Sequence, residues 1–319
     1  MDLTHALMLG QLPSDFPLPL DRPFTHQTAR EVGLRPNQLT ALVTAGALSR
    51  PLRGVYVAAT TPDSTRLRLA CLRLVIPADS VVCDRHAGWL HGAEMVLAPG
   101  EHLQVMPLTI FRRRGHGRLR NGLVDGGERS LLASDVVEME GVQVTSPLRT
   151  ALDLGRVRWP ERAIAGLDAM LRLGAFERDE LLAHVHRFTG ARWVRTLRAV
   201  APLADGRSES PGESVLRLRL VERRIPVEPQ VEVWEAGRFV ARLDLADPDS
   251  RFGAEYDGEE WHSSPEQRAH DQARRTDADE QGWTIAVFRK ENVFGPLADV
   301  DRLAAQAYAR ARSRRGLPT

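Results

Sequence analysis

Two short apolar runs that each carry acids, separated by a turn, constrain this chain more than any other stretch. Val240-Ala-Arg-Leu-Asp-Leu-Ala246 holds Asp244, and Phe252-Gly-Ala-Glu-Tyr-Asp257 holds Glu255 and Asp257. Between them Asp247-Pro-Asp-Ser250 supplies turn residues, so the whole predicts a β-hairpin. Side chains two apart on a strand share a face, which points Glu255 and Asp257 the same way and lets Asp244 lie beside them on the paired strand. Carboxylates crowded on one strand face repel one another unless a cation lies among them. Oxygen-only ligands suit Mg²⁺ or Mn²⁺.

The flanks complete a unit. Ser210-Pro-Gly-Glu213 combines an N-cap serine, proline at the first helical position and glutamate three residues after the cap, so a helix is expected over residues 213–224. Residues 225–234 read as a strand containing Gln230, residues 265–281 as a polar helix closed by Gly282, and residues 283–289 as a buried strand. A helix over residues 296–311 ends the pattern, and its basic tail, Arg312-Ser-Arg-Arg-Gly316, is expected to fray.

This order resembles the very-short-patch-repair-like branch of the PD-(D/E)XK nucleases. The resemblance covers residues 206–310 and is carried by Glu213, Gln230, Asp244, Glu255-Tyr-Asp257-Gly258, His262, Asp271, Arg275 and Gly282-Trp283. It implies an Mg²⁺-dependent (or Mn²⁺-dependent) DNA nuclease core with Asp244 and Glu255 as metal ligands and Glu213 as an outer acid. The general pattern of that superfamily has a lysine where this chain has Asp257, and the single lysine here, Lys290, follows the last strand. The basic group would then be His262, Arg275 or Lys290, or the mechanism dispenses with one. The very-short-patch branch itself uses histidines, which favours His262, with Asp257 as the other candidate for assisting proton transfer.

Length and charge set the frame. With 319 residues the chain has room for two or three domains with proper cores. The formal charge is +1, so a nucleic-acid contact must come from local clusters rather than a global field. All but one of the 43 basic residues are arginine, a skew typical of GC-rich genomes, which lowers the weight of any single arginine. Cys71 and Cys83 show no metal spacing and sit in apolar surroundings, so buried thiols in a reducing cytosol are expected. The N-terminus lacks a basic region of the signal-peptide kind, and the apolar runs are too short for a bilayer. A cytoplasmic protein is expected.

At the N-terminus, residues 24–34 read as a short helix closed by Gly33, residues 35–45 as a second helix opened near Pro36, and residues 46–57 as two strands of a small wing. Helix, turn, helix, wing is a compact DNA-binding plan. Arg35, Asn37, Gln38 and Thr40 open the second helix and would meet base edges, while Arg50 and Arg53 in the wing would meet phosphates. Gly33-Leu34, Leu42-Val43 and Arg53-Gly-Val-Tyr56 give this stretch a resemblance to the N-terminal winged helix of AbiEi-type antitoxins. Modules of this size also serve as protein-interaction domains.

The middle region carries two further segments similar to AbiEi-like proteins: His86-Ala-Gly-Trp-Leu-His-Gly92 and Thr145-Ser-Pro-Leu-Arg-Thr-Ala-Leu-Asp153. A spacing of five puts His86 and His91 on different helix faces, so they read as structural histidines rather than metal ligands. Residues 103–144 alternate in short β runs. Within them Phe111-Arg-Arg-Arg-Gly-His-Gly-Arg-Leu-Arg120 is either a solvated loop or a phosphate-contacting patch. Helices over residues 160–173, 177–186 and 191–201 look like a small bundle, and residues 204–209 like a hinge.

The expected fold is α/β and multi-domain: a winged helix over residues 1–60, an α+β middle domain over 61–205, and a restriction-endonuclease-like mixed sheet flanked by helices over 206–319. The leading functional expectation is a DNA-binding protein with an Mg²⁺-dependent phosphodiesterase core acting on double-stranded DNA. The alternative is an AbiEi-like antitoxin or transcriptional regulator, partnered by a cognate toxin, in which the nuclease fold is silent.

Overall fold

The computed structural model describes residues 3–93, 96, 108–115, 117, 124–258, 276–295 and 298–318, and the chain divides into two compact units, Met1–Asp153 and Leu154–Thr319.

In the first unit, α1 (Thr4–Leu9), β1 (Phe24–Thr25), α2 (His26–Glu31), α3 (Pro36–Thr44), β2 (Leu48–Leu52) and β3 (Val55–Ala58) follow in order. The Thr25 hydroxyl accepts the Thr28 amide at 3.0 Å and caps α2. At the head of α3, Pro36 occupies the first turn, and the Gln38 side chain accepts the Arg35 amide at 2.8 Å. Leu39 and Leu42 face inward with Phe24, Leu34, Leu48 and Tyr56. The strands form an antiparallel sheet in the order β1-β3-β2. Leu52 pairs with Val55, leaving Arg53-Gly54 as a two-residue turn, and Gly54 takes the positive φ of 82° that such a turn demands.

The same unit continues with α4 (Thr65–Arg73), β4 (Ser80–Val82), α5 (Asp84–Leu90), β5 (Leu108–Arg113), β6 (Val124–Asp125), β7 (Glu128–Arg129), β8 (Val136–Met139) and β9 (Val142–Thr145). A six-stranded mixed sheet runs β6-β5-β4-β9-β8, with β7 paired to β5. Its core joins Leu72, Val82, Trp89, Ile110 and Val144 to Leu52, Val55 and Val57 of the wing. Of the short β runs expected over residues 103–144, residues 103–107, 116 and 118–123 lie outside the described residues. Cys71 and Cys83 are buried, which pushes both thiols up, Cys71 to about 12.

The helix α6 (Pro147–Gly155) follows β9. The second unit contains α7 (Pro160–Arg172), α8 (Arg178–His184) and α9 (Val194–Val200), the expected helical bundle. Then come α10 (Pro211–Glu222), β10 (Glu228–Glu235), β11 (Arg238–Asp247), β12 (Phe252–Asp257), β13 (Thr284–Arg289), α11 (Lys290–Val293) and α12 (Val300–Arg314). Strands β10, β11 and β12 form an antiparallel meander and β13 pairs parallel to β12, giving the order β10-β11-β12-β13. Residues 276–280 are helical and Gln281 is in the turn that follows; residues 265–275 of the expected helix lie outside the described residues.

Two local details differ from expectation. The basic tail does not fray: α12 runs to Arg314, whose guanidinium donates to Asp279 Oδ1 at 2.7 Å, a carboxylate 35 residues earlier in the chain. At the head of α10, Ser210 caps as expected by accepting the Glu213 amide at 3.1 Å. The Glu213 carboxylate does not close a capping box on Ser210; it accepts from the Glu209 amide and the Gln230 side chain instead.

Candidate nucleic-acid interface and acidic strand face

In the winged helix, Arg35, Asn37 and Thr40 are exposed at the opening of α3, and Gln38 is half-buried. Hydrogen bonding of their polar groups is local: Thr40 donates to the Pro36 carbonyl at 3.0 Å and Asn37 accepts the Gln38 amide at 3.0 Å. Such bonds hold the side chains near the helix while leaving Asn37 amide protons and the Arg35 guanidinium directed at solvent. Arg53 is exposed at the wing tip. Arg50, three residues earlier on β2, is half-buried, and its guanidinium lies 5.8 Å from the centre of the Tyr56 ring. Between these two arginines, Arg53 is the better placed to reach a phosphate.

The two segments quoted above for the middle region meet in space. His91 Nε2 lies 2.7 Å from the Thr145 carbonyl oxygen, which only accepts, so Nε2 carries the proton. Burial holds this imidazole below its usual range. His86 Nδ1 accepts the Thr109 amide at 3.2 Å. Both histidines are therefore structural. Around them runs a chain of buried charge: Arg149 bridges Asp135 (2.7 Å) and Asp153 (2.9 Å), while Arg129 bridges Asp153 (2.8 Å) and Asp84 (2.7 Å) with its guanidinium 3.7 Å from the Phe111 ring centre. Arg112 of the basic 111–120 segment pairs with Asp79. His116 and residues 118–120 of that segment lie outside the described residues.

On the mixed sheet of the second unit, the pairs Leu245↔Ala254, Ala246↔Gly253 and Asp247↔Phe252 set the β11–β12 register. Continued by one residue, that register sets Asp244 opposite Glu255. On the other side of β11, Pro229↔Leu245 and Val231↔Leu243 bracket Gln230 opposite Asp244. Opposed residues of antiparallel strands share a face, so Gln230, Asp244 and Glu255 form one row across three strands. Glu213 joins it from α10: Gln230 Nε2 donates to Glu213 Oε2 at 2.9 Å. Asp244 Oδ2 accepts the Tyr256 amide at 2.9 Å, and Glu255 is buried.

Gln230 is the unusual member. Its φ is +55°, rare for a residue with a side chain and costly by roughly 1–3 kcal/mol. Its Oε1 is buried without a hydrogen-bond partner. Asp247, by contrast, is a turn acid: it accepts from the Asp249 amide, Ser250 Oγ and Tyr308 Oη. Asp257 lies two residues beyond Glu255, half-exposed, with Arg289 Nε 3.8 Å from its carboxylate. His262, Asp271 and Arg275 lie outside the described residues. Among the described residues no group of three or more His, Cys, Asp or Glu side chains could hold a metal ion. No described helix is long and apolar enough to cross a membrane.

Sequence reasoning missed one residue of this corner. Gly212 on α10 faces Tyr256 so closely that a Cβ there would lie 2.0 Å from the ring. The only signal was a glycine inside a helix start.

Residues 80–203 match the AbiEi antitoxin C-terminal domain. Over its length the chain is similar to two proteins of Mycobacterium tuberculosis: "Uncharacterized protein MT2308" (strain CDC 1551 / Oshkosh) and "Uncharacterized protein Rv2248" (strain ATCC 25618 / H37Rv). Each is 32% identical over 277 residues, covering 84% of this chain and 94% of the relative. The chain belongs to the family of these mycobacterial proteins. No solved structure matches it significantly.

Proposed function

We propose that this chain is an AbiEi-like antitoxin or transcriptional regulator that binds double-stranded DNA through its winged helix and answers to a cognate toxin. The observation that carries this reading is the exposed opening of α3 beside a wing tipped by Arg53, on a chain whose residues 80–203 match an antitoxin domain. The side chains at Arg35 and Asn37 are of the types that pair bidentately with guanine and adenine edges, worth about 1–3 kcal/mol each in discrimination. Arg53 would add a phosphate contact without sequence preference.

The test is gel-shift titration of the duplex upstream of the protein's own coding sequence. Asn37→Ala is expected to weaken binding roughly tenfold or more and relax its sequence preference. Arg53→Ala is expected to weaken all duplexes alike and lower the salt slope by about 1. Wild-type affinity equal for operator and scrambled duplex would refute the regulator reading.

A second reading has a specific observation in its favour: the row of Gln230, Asp244 and Glu255 with an unsatisfied amide oxygen in it. Two carboxylates and an amide oxygen are a donor set that fits Mg²⁺ or Mn²⁺, which keep several waters and need few protein ligands. Asp244 and Glu255 would hold the ion, which when bound supplies an acidified water and charge neutralisation for phosphodiester hydrolysis. Glu213 orients Gln230, and Asp257 or His262 would receive the proton. Plasmid nicking with Mg²⁺ or Mn²⁺ decides it: equal cleavage, or none, by wild type and Asp244→Ala would remove this reading.

A further inference from the structure

The chain as a whole balances 43 basic residues against 42 acidic ones. In the second unit that balance breaks down at two neighbouring turns. Residues 156–162, the turn after α6 with the first residues of α7, and residues 187–198, the turn before α9 with most of that helix, contain seven arginines and one carboxylate, Glu161. Glu161 is already committed to Arg219 at 2.5 Å. Arg156 ties the turns together, donating to the Arg192 carbonyl at 3.3 Å and lying 4.9 Å from the Phe188 ring centre.

Each turn also presents a tryptophan to solvent, Trp159 at 51% and Trp193 at 38% exposure. Each ring carries the guanidinium of the preceding residue: Arg158 lies 4.6 Å from the Trp159 centre and Arg192 5.0 Å from that of Trp193. Stacking on the indole restricts the arginine and leaves the ring's other face available. Trp193 holds a φ of +62° at the head of α9, a strained conformation for a bulky residue that keeps its ring out of the core.

We propose that this surface binds single-stranded nucleic acid, with Trp159 and Trp193 as stacking platforms and Arg158, Arg192 and Arg195 on the phosphates. Stacking requires a base outside a helix, so the ligand differs from the duplex assigned to the winged helix. An acidic protein would satisfy the arginines, but two exposed indoles each flanked by cations fit successive stacked bases and their phosphates. The proposal does not rest on the regulator reading or on the acidic row.

The experiment uses the full chain and a fluorescein-labelled twelve-residue oligothymidylate, read by anisotropy and by quenching of tryptophan emission. Wild type is expected to bind with quenching. Trp159→Ala, an exposed position, is expected to weaken binding roughly tenfold. Arg158→Glu/Arg192→Glu/Arg195→Glu is expected to abolish it, and both variants are expected to keep the wild-type circular dichroism spectrum. No binding by wild type, or binding unchanged by Trp159→Ala, would overturn the proposal. Equal displacement by polyglutamate and by unlabelled oligothymidylate would overturn it too, in favour of an acidic protein partner. Should the triple variant fail to fold by circular dichroism, Trp159→Ala alone still decides.

Discussion

Replacing Arg217 by methionine would show how α10, the first helix of the mixed-sheet region, is fixed to the helical bundle. Arg217 Nη2 meets Asp168 Oδ2 of α7 at 2.6 Å with both side chains buried, and Nη1 donates to the Leu203 carbonyl. Asp168 keeps two other donors, the Asp205 amide at 2.8 Å and the Ser214 hydroxyl. Burial pushes the Asp168 carboxyl up, and the arginine opposes that shift. Without Arg217 the carboxyl escapes an unpaired buried charge by taking a proton. That sets a ceiling: at about 1.4 kcal/mol per pH unit, protonating a carboxyl of ordinary value 3.8 at pH 7 costs about 4 kcal/mol, and at pH 5 about 1.6 kcal/mol. The two remaining donors lower the figure, so a loss of about 2–4 kcal/mol is expected at pH 7. The sign with pH follows. Native Arg217→Met binds a proton that its unfolded chain does not, so its deficit against wild type shrinks by about half between pH 7 and pH 5. Urea denaturation of both proteins at the two pH values measures it. A deficit under about 1 kcal/mol at pH 7, or one that does not change with pH, would refute the account.

Two further outcomes are expected. Because burial depresses the His91 imidazole, its contribution to stability is fully present above about 6.5 and is lost as pH falls from there toward the folded value; thermal melts from pH 7.5 to 5.5 should therefore fall more steeply for wild type than for His91→Gln. Gly212→Ala would ordinarily help a helix by about 1 kcal/mol, but the new Cβ meets the Tyr256 ring, so a loss of about 1–3 kcal/mol is expected in the same denaturation assay.

The parts of this fold legible in the sequence are those set by local chemistry. The Asp244 and Glu255 runs alternate with period two and are split by a turn-rich segment, so the hairpin and its acids could be read directly. Ser210 and Pro211 announced α10, because caps depend on a few adjacent residues. What escaped depends on distant partners. Arg149 and Asp153 form a visible four-residue helix pair, but nothing local says that Asp135 and Arg129 extend it into a buried chain. Arg314 looked like the start of a frayed end because Asp279, which holds it, comes so much earlier. Gly212 falls in the same class, since its closeness to Tyr256 exists only after the sheet has formed.

Gln230 offers a way to weigh whether the acidic row is more than scaffolding. Its positive φ costs roughly 1–3 kcal/mol, and a buried oxygen without a partner costs a further 1–3 kcal/mol, roughly. Against this the side chain makes one bond to a carboxylate, the 2.9 Å contact with Glu213 Oε2, worth about 1.5–3 kcal/mol. Glycine would relieve the strain and remove the unsatisfied oxygen, while Glu213 would keep the Glu209 amide at 2.8 Å. Gln230→Gly is therefore expected to leave the protein at least as stable as wild type, the pattern of a residue kept for a ligand at a cost to the fold. A loss above about 1 kcal/mol would instead make Gln230 a brace between β10 and α10, with the row it anchors serving packing alone.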